Sequence, residues 1–200
     1  MDKAERIKAH DLKIPEGYLP RPHSHLGNPR DAFHYSMTVE KLQEGQVQTV
    51  LDVGCFDGWL DFLLIDKGFK VTGLELIKAL ADAAKVYASR NFYQYKIYQG
   101  FFDEVEVTES FDAVICFETL EHIALSSLGN YLEKLESLAK KMVLISLPNE
   151  DYEKNPQHLW TPTKDLIGDL WSDRKDFFIK YKDYPNTDIP GNWFISYRVD

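Results

Sequence analysis

Cysteine is nearly absent from this chain: of 200 residues, only Cys55 and Cys116 carry thiols. Two thiols build no disulfide framework, and no zinc-type spacing of cysteines is present. Both fall at or near the ends of apolar segments that read as adjacent parallel strands, so free buried thiols in a reducing compartment are expected. Long apolar runs are missing too. Nothing approaches the ~20 residues of a membrane span, and Met1–Arg6 lacks the apolar stretch of a signal peptide. A cytoplasmic chain without a membrane partner is the expectation. Positive charge is also short. The 23 Lys and Arg face 32 Asp and Glu, for a net charge of −9. That argues against nucleic acid as a general partner, because non-specific binding needs clustered cations, although a local basic groove stays open. Internal repeats and low-complexity segments are absent. So is G-x-G-x-x-G, the nicotinamide-type dinucleotide fingerprint.

What is present starts with Val50-Leu51-Asp52-Val53-Gly54-Cys55-Phe56-Asp57-Gly58. A short β-branched apolar run reads as a buried strand that breaks into two glycines with an acid between them. Trp59 to Ile65 follows as an apolar helix, stopped at Lys67-Gly68. In a strand, glycine turn and helix, backbone N–H groups and a helix N-terminus face a ligand. Glu75 ends a second apolar run, Lys70 to Glu75. An acid at the tip of the second strand can accept hydrogen bonds from both hydroxyls of a ribose. The stretch therefore proposes a nucleoside-containing cofactor, beside the plainer reading of a tight βα turn with a surface glutamate.

D-V-G-C-F-D-G (52–58) followed by V-T-G-L-E (71–75) resembles the class I S-adenosylmethionine-dependent methyltransferases. F-D-A-V-I-C-F-E-T-L-E-H-I (111–123) and V-L-I-S-L-P-N (143–149) extend the resemblance, which covers about residues 45–200. It implies an α/β fold of three layers, with a Rossmann-like seven-stranded sheet, mostly parallel with one antiparallel strand, and helices on both faces. Residues 1–44 are then an N-terminal extension and helix, a lid or a loosely attached tail, and 45–200 the methyltransferase domain. The implied reaction is methyl transfer from S-adenosyl-L-methionine, giving S-adenosyl-L-homocysteine, to oxygen, nitrogen or carbon of a small-molecule or saccharide-like acceptor. The implied cofactor contacts are Asp52, Gly54, Cys55, Phe56 and Gly58 in the turn, and Glu75 and Leu76 at the ribose. Gly100, Phe101, Phe102 and Asp103 are implied at the adenine, and Phe117 and Glu118 at a strand end. Two positions depart from the family pattern. Phe56 stands where glycine is usual, so a phenyl group narrows or covers the methionine end. Phe101 stands where an acid often contacts the adenine amine; either Asp103 swings in, or backbone groups and aromatic packing hold the ring.

Along the rest of the chain, residues 1–27 read as irregular, and Pro20 to Gly27 is not expected to form regular helix or strand. His23 and His25 are weak metal candidates beside solvated loop histidines. Residues 29–44 read as a helix with Asn28 as N-cap and Pro29 at its first position. His34 and Tyr35 are candidates for a pocket mouth. Further helices are expected at 77–89, from 125 to 138, and at 162–171 behind Thr161 as cap. Strands are expected from Gln94 to Tyr98, Phe111 to Phe117 and Met142 to Leu147, and an antiparallel pair at 177–181 and 193–197. Tyr18, Tyr35, Trp160 and Trp193 lie in or beside loops and either stack on a flat ligand or pack.

Methyl transfer from a sulfonium needs alignment in a dry pocket more than it needs functional groups. An oxygen or carbon nucleophile also calls for a base, and Glu121, His122 and His158 are the candidates, His122 having the intrinsic pKa for it. Glu118, Glu121 and His122 are close enough in sequence to converge on one point. With His158 they are similar to the ligand set of small-RNA 2′-O-methyltransferases, which implies a divalent metal and an RNA ribose as an alternative function. A methyltransferase-like binding protein without turnover is the other alternative, motivated by Phe56.

Overall fold

A computed structural model of the chain describes residues 14–151 and 153–200; what was expected of residues 1–13 lies outside the described residues. The elements are α1 (Pro22–His25), α2 (Pro29–Glu44), β1 (Thr49–Val53), α3 (Trp59–Asp66), β2 (Lys70–Glu75), α4 (Lys78–Arg90) and β3 (Lys96–Gln99). Then come β4 (Phe111–Phe117), a 3₁₀ turn at Leu120–His122, α5 (Leu125–Leu138), β5 (Ala139–Pro148), α6 (Lys164–Trp171), β6 (Lys175–Lys182) and β7 (Asn192–Arg198). The strands form one seven-stranded sheet in the order β3-β2-β1-β4-β5-β7-β6. β1 to β5 are parallel, and β7 runs antiparallel to both β5 and β6. β7 is thus the one reversed strand.

The central strands bury both faces, which explains their unbroken apolar runs. Alternate residues serve different layers. Leu51, Val114, Cys116, Val143 and Ile145 pack with Leu128, Leu132 and Leu135 of α5 and Trp171 of α6. Val50, Ala113, Ile115 and Leu144 face the other way, onto Met37 and Leu42 of α2 and Leu60 and Leu64 of α3. Phe62 of α3 packs with Ala84 and Ala88 of α4 on that same side. No helix among the described residues is long and apolar enough to cross a membrane, and both cysteines are free and buried.

Asn28 caps α2, its side chain accepting from the N–H groups of Arg30 and Asp31. Two expectations need correction. The stretch read as irregular contains α1. Pro22 occupies its first position, where the fixed φ suits a helix and no N–H is needed. α6 begins two residues later than expected, because Thr163, not Thr161, is its cap and accepts from the Leu166 N–H. The Thr161 hydroxyl turns instead toward Asp151, 3.5 Å away.

Candidate functional site

In an open parallel sheet, ligands sit beyond the carboxyl ends of the strands where the order reverses. Here that place lies between β1 and β4. The turn after β1 alternates into the left-handed region at Gly54, Phe56 and Gly58, with φ of +82°, +56° and +78°. Glycine adopts this without strain; a phenylalanine rarely does. The turn is held from three sides. The N–H groups of Gly54 and Cys55 donate to the Leu74 carbonyl at 2.8 and 3.1 Å. A side chain on Gly54 would collide with the Thr119 hydroxyl. Asp57, fully buried, accepts the Trp59 N–H at 3.0 Å and the Tyr18 hydroxyl at 2.6 Å. The first bond caps α3, whose N-cap glycine has no side chain; the second ties the N-terminal segment to the turn.

Glu75 is buried at the end of β2. One carboxylate oxygen accepts the Phe56 N–H at 2.9 Å and the other the Ile77 N–H at 2.6 Å. Burial nevertheless pushes its pKa up to about 7, against the opposing pull of those N–H groups. A carboxylate has about four lone-pair sites, so acceptor capacity remains. Glu75 lines a cavity of about 290 Å³ together with Gly54, Phe56, Leu76, Gly100, Phe101, Phe102 and Glu118. His122, Gln157 and Leu159 line it as well. Asp103 is exposed and does not line this cavity, whereas Phe101 and Phe102 are buried against it. The side chains that face the cavity at this strand end are therefore the two phenylalanines.

A second chamber of about 240 Å³ adjoins it, lined by Asp52, Cys55, Phe117, Arg30, Asp31 and Trp59 among others. Gly54, Phe56 and Glu118 line both. Beneath it, burial lifts Asp52 to about 6. Burial and the Asp52 charge drive its neighbour Asp61 well above the usual carboxylate range. His34 lines this chamber, but Tyr35 lines neither and packs against the core. Gly58 lines neither chamber and serves as the cap of α3. Trp160 and Trp193 are buried, their indole N–H groups donating to backbone carbonyls of Leu120, Ile123 and Pro162. Both are packing residues.

At the exit of β4, Glu118 takes φ +48°. This turns its side chain back toward the sheet. One oxygen accepts the Ser146 hydroxyl and the Asn192 amide, each at 2.9 Å, and the other lies 3.5 Å from Arg30 Nη1. Glu118 therefore does not converge with Glu121 and His122. The group whose ligand atoms come together, all within 4.8 Å, is Glu121, His122 and His158. Glu121 is buried, its Oε2 without a hydrogen-bond partner among the described residues, and burial raises its pKa well above the carboxylate range. His122 Nδ1 meets the Gln157 carbonyl at 2.9 Å. A carbonyl only accepts, so Nδ1 carries the proton and Nε2 presents its lone pair. Burial lowers the pKa of both histidines. His158 Nδ1 has no hydrogen-bond partner among the described residues.

Residues 50–142 match the family model described as "Methyltransferase domain". The chain is 31% identical over 107 residues to the ubiquinone biosynthesis O-methyltransferase of Rickettsia akari, covering 54% of this chain and 38% of that protein. Among solved structures, magnesium protoporphyrin IX methyltransferase of Synechocystis with bound SAH superposes with a TM-score of 0.66 at 17% identity, covering 98% of this chain and 93% of that one. The N-methyltransferase NodS of Bradyrhizobium japonicum gives 0.68 at 13%, covering 86% and 98%. Residues 50–142 thus carry a methyltransferase-domain sequence within a chain that has the fold of these solved methyltransferases. The chain spans less than half the length of the curated relatives it matches. One of these neighbours is named for magnesium protoporphyrin IX and the other as an N-methyltransferase, so the shared fold does not choose an acceptor. The cavity suits the family's cofactor: a fixed carboxylate with spare acceptor sites, buried aromatic walls, and a turn whose backbone is exposed at Gly54. Sequence reading passed over Arg30 and Asp31, although Asn28 and Pro29 fix where the first turn of α2 starts. It also passed over the Tyr18–Asp57 pair, 39 residues apart, which leaves no local pattern.

Proposed function

We propose that this chain transfers a methyl group from S-adenosylmethionine to a hydroxyl oxygen of a small-molecule acceptor. The observation that carries this is the His122 imidazole in the lining of the same cavity as Glu75. Its Nδ1 proton is committed to the Gln157 carbonyl at 2.9 Å, which makes Nε2, 3.7 Å from Glu121 Oε1, the basic nitrogen. The O-methyltransferase names of the Rickettsia relatives support oxygen as the acceptor atom. Nothing in the lining favours a saccharide-like acceptor over another small molecule. Glu75 would hold the ribose, Gly100 to Phe102 the adenine, and the Asp52–Gly58 turn the methionine end. When bound, the cofactor supplies a methyl carbon on a good, neutral leaving group. The apolar walls exclude water, and the fixed strand ends align the reactants. His122 holds the acceptor hydroxyl and takes its proton. Residues 14–27 act as a strap over the turn through Tyr18, and the free buried thiols support a cytoplasmic setting.

A second reading is favoured by Glu121, His122 and His158 standing together, with Glu121 Oε2 and His158 Nδ1 making no hydrogen bond among the described residues. A carboxylate and two imidazoles suit a first-row divalent cation, which would restore the charge on Glu121 and polarise the acceptor oxygen. One experiment addresses both readings. Metal-free protein is titrated calorimetrically with S-adenosylhomocysteine, then with manganese, and labelled methyl transfer is followed over a panel of hydroxylated small molecules. Micromolar cofactor binding and label on oxygen are expected. Absence of cofactor binding removes the proposal. Manganese binding lost in Glu121→Ala assigns the cation; no manganese binding leaves His122 as the base.

A further inference from the structure

Phe56 is one of the two positions where this chain departs from the family pattern, and its place gives the departure a use. The two chambers, of about 290 and 240 Å³, each sit at the small end of ordinary ligand pockets, and together they fall well inside that range. Their linings differ. The larger has the buried aromatic walls and the acid suited to a nucleoside. The smaller carries charges of both signs, Arg30 beside Asp31 and Asp52, with His25 ion-paired to Asp31 at 2.8 Å. That lining suits a zwitterionic amino-acid head. Among the described residues only Gly54, Phe56 and Glu118 border both. Gly54 has no side chain, and Glu118 is held by Ser146 and Asn192. Phe56 alone of the three has a side chain that can turn, and it is 38% exposed. Its backbone is not free to move with it. The N–H is bonded to Glu75, Asp57 is pinned by Tyr18, and the ring is carried on a left-handed residue.

We propose that Phe56 is a specificity-determining partition between the nucleoside chamber and the amino-acid chamber, a ring that must rotate aside before any ligand spans both. A nucleoside without an amino-acid head binds the first chamber and leaves the ring at rest. The full cofactor or its product enters only with the ring displaced, so part of its binding free energy is spent on the rotation. The wild-type chain therefore discriminates weakly between 5′-methylthioadenosine, which ends at the thioether, and S-adenosylhomocysteine, which continues into the amino acid.

The inference rests on the cofactor reading above, and the test separates the two. Wild type, Phe56→Gly and Phe56→Ala are titrated calorimetrically with 5′-methylthioadenosine and with S-adenosylhomocysteine. The alanine variant removes the ring without the added chain freedom of glycine. Circular dichroism confirms folding. The expected result is a dissociation constant for 5′-methylthioadenosine that stays within about twofold across the three proteins. S-adenosylhomocysteine binds about tenfold tighter to both variants than to wild type. Unchanged or weaker S-adenosylhomocysteine binding in Phe56→Ala overturns the partition and makes the ring part of the binding surface. Failure of both ligands to bind any of the three overturns the cofactor reading, and the partition with it.

Discussion

Replacing Glu75 by glutamine tests whether the acid at the end of β2 is buried at a cost that the ligand-free chain carries. Burial raises its pKa from 4.5 to about 7, a difference worth about 3 kcal/mol. The sign follows from proton counting. Between those two pH values the folded chain retains a proton that the unfolded chain has lost, so stability falls as pH rises through the window. Above about pH 7 the whole amount is lost. Glutamine has no proton to lose, so this slope disappears in Glu75→Gln. Integrated between pH 5 and pH 8, wild type should lose about 2 kcal/mol more stability than the variant. At pH 5 the variant starts behind. Its amide offers one acceptor where Glu75 offers two, so either the Phe56 or the Ile77 N–H loses its partner, a cost of about 1–3 kcal/mol. The gap should therefore narrow or close by pH 8. Urea unfolding at half-unit pH steps on both proteins measures it, other titrating groups being common to the two. Parallel stability curves from pH 5 to 8 would refute the reasoning and place Glu75 in contact with water.

Three further expectations follow from particular contacts. In the proposed cofactor reading, ribose hydroxyls would donate to Glu75, so binding should favour its ionised form and release a proton near pH 7. S-adenosylhomocysteine affinity should then rise several-fold from pH 6 to 8 with buffer-dependent heats, and a pH-independent affinity would contradict this. Tyr18→Phe leaves a buried Asp57 oxygen without its donor and should cost about 1–2 kcal/mol while exposing residues 14–27 to limited proteolysis. Unaltered cleavage would show that Tyr18 does not tether the segment. Gly73→Ala places a methyl group against the Tyr95 hydroxyl and 2.7 Å from Cys55 Sγ, and overpacking of this kind costs about 1–3 kcal/mol. Thermal denaturation should show the loss, and an unchanged midpoint would mean that Tyr95 gives way freely.

Much of the scaffold was legible because its signals are local. β4 was expected at Phe111 to Phe117 and lies there, since a strand buried on both faces leaves a continuous apolar run. The glycine turn, the capped start of α2 and the reversed strand near the sheet edge were legible for similar reasons. The start of α6 was not, because Thr161 and Thr163 are equally good caps in isolation and only the pairing of Thr161 with Asp151 separates them. The direction of Glu118 was hidden for a different reason. Sequence spacing puts it beside Glu121, but a left-handed backbone and two donors from β5 and β7 turn it away. Asp103 likewise follows the right strand, yet it lies on the solvent side while Phe101 and Phe102 turn inward. Side-chain bonds between distant segments leave no periodicity to read.

Asn192 joins three such segments. Its amide oxygen meets His34 Nε2 of α2 at 2.8 Å, and its amide nitrogen donates to Glu118 at the end of β4. His34 and Asn192 are 158 residues apart. Closing a loop of that length is entropically slow, and the bond adds nothing until β7 has inserted between β5 and β6. The parallel half of the sheet and its nucleoside chamber involve nearer neighbours and can form earlier on the folding route. Alignment of Glu118 between the two chambers is therefore a late event in folding. A chain arrested before that strand docks would already possess the buried acid at the end of β2, but not the fixed geometry beside it.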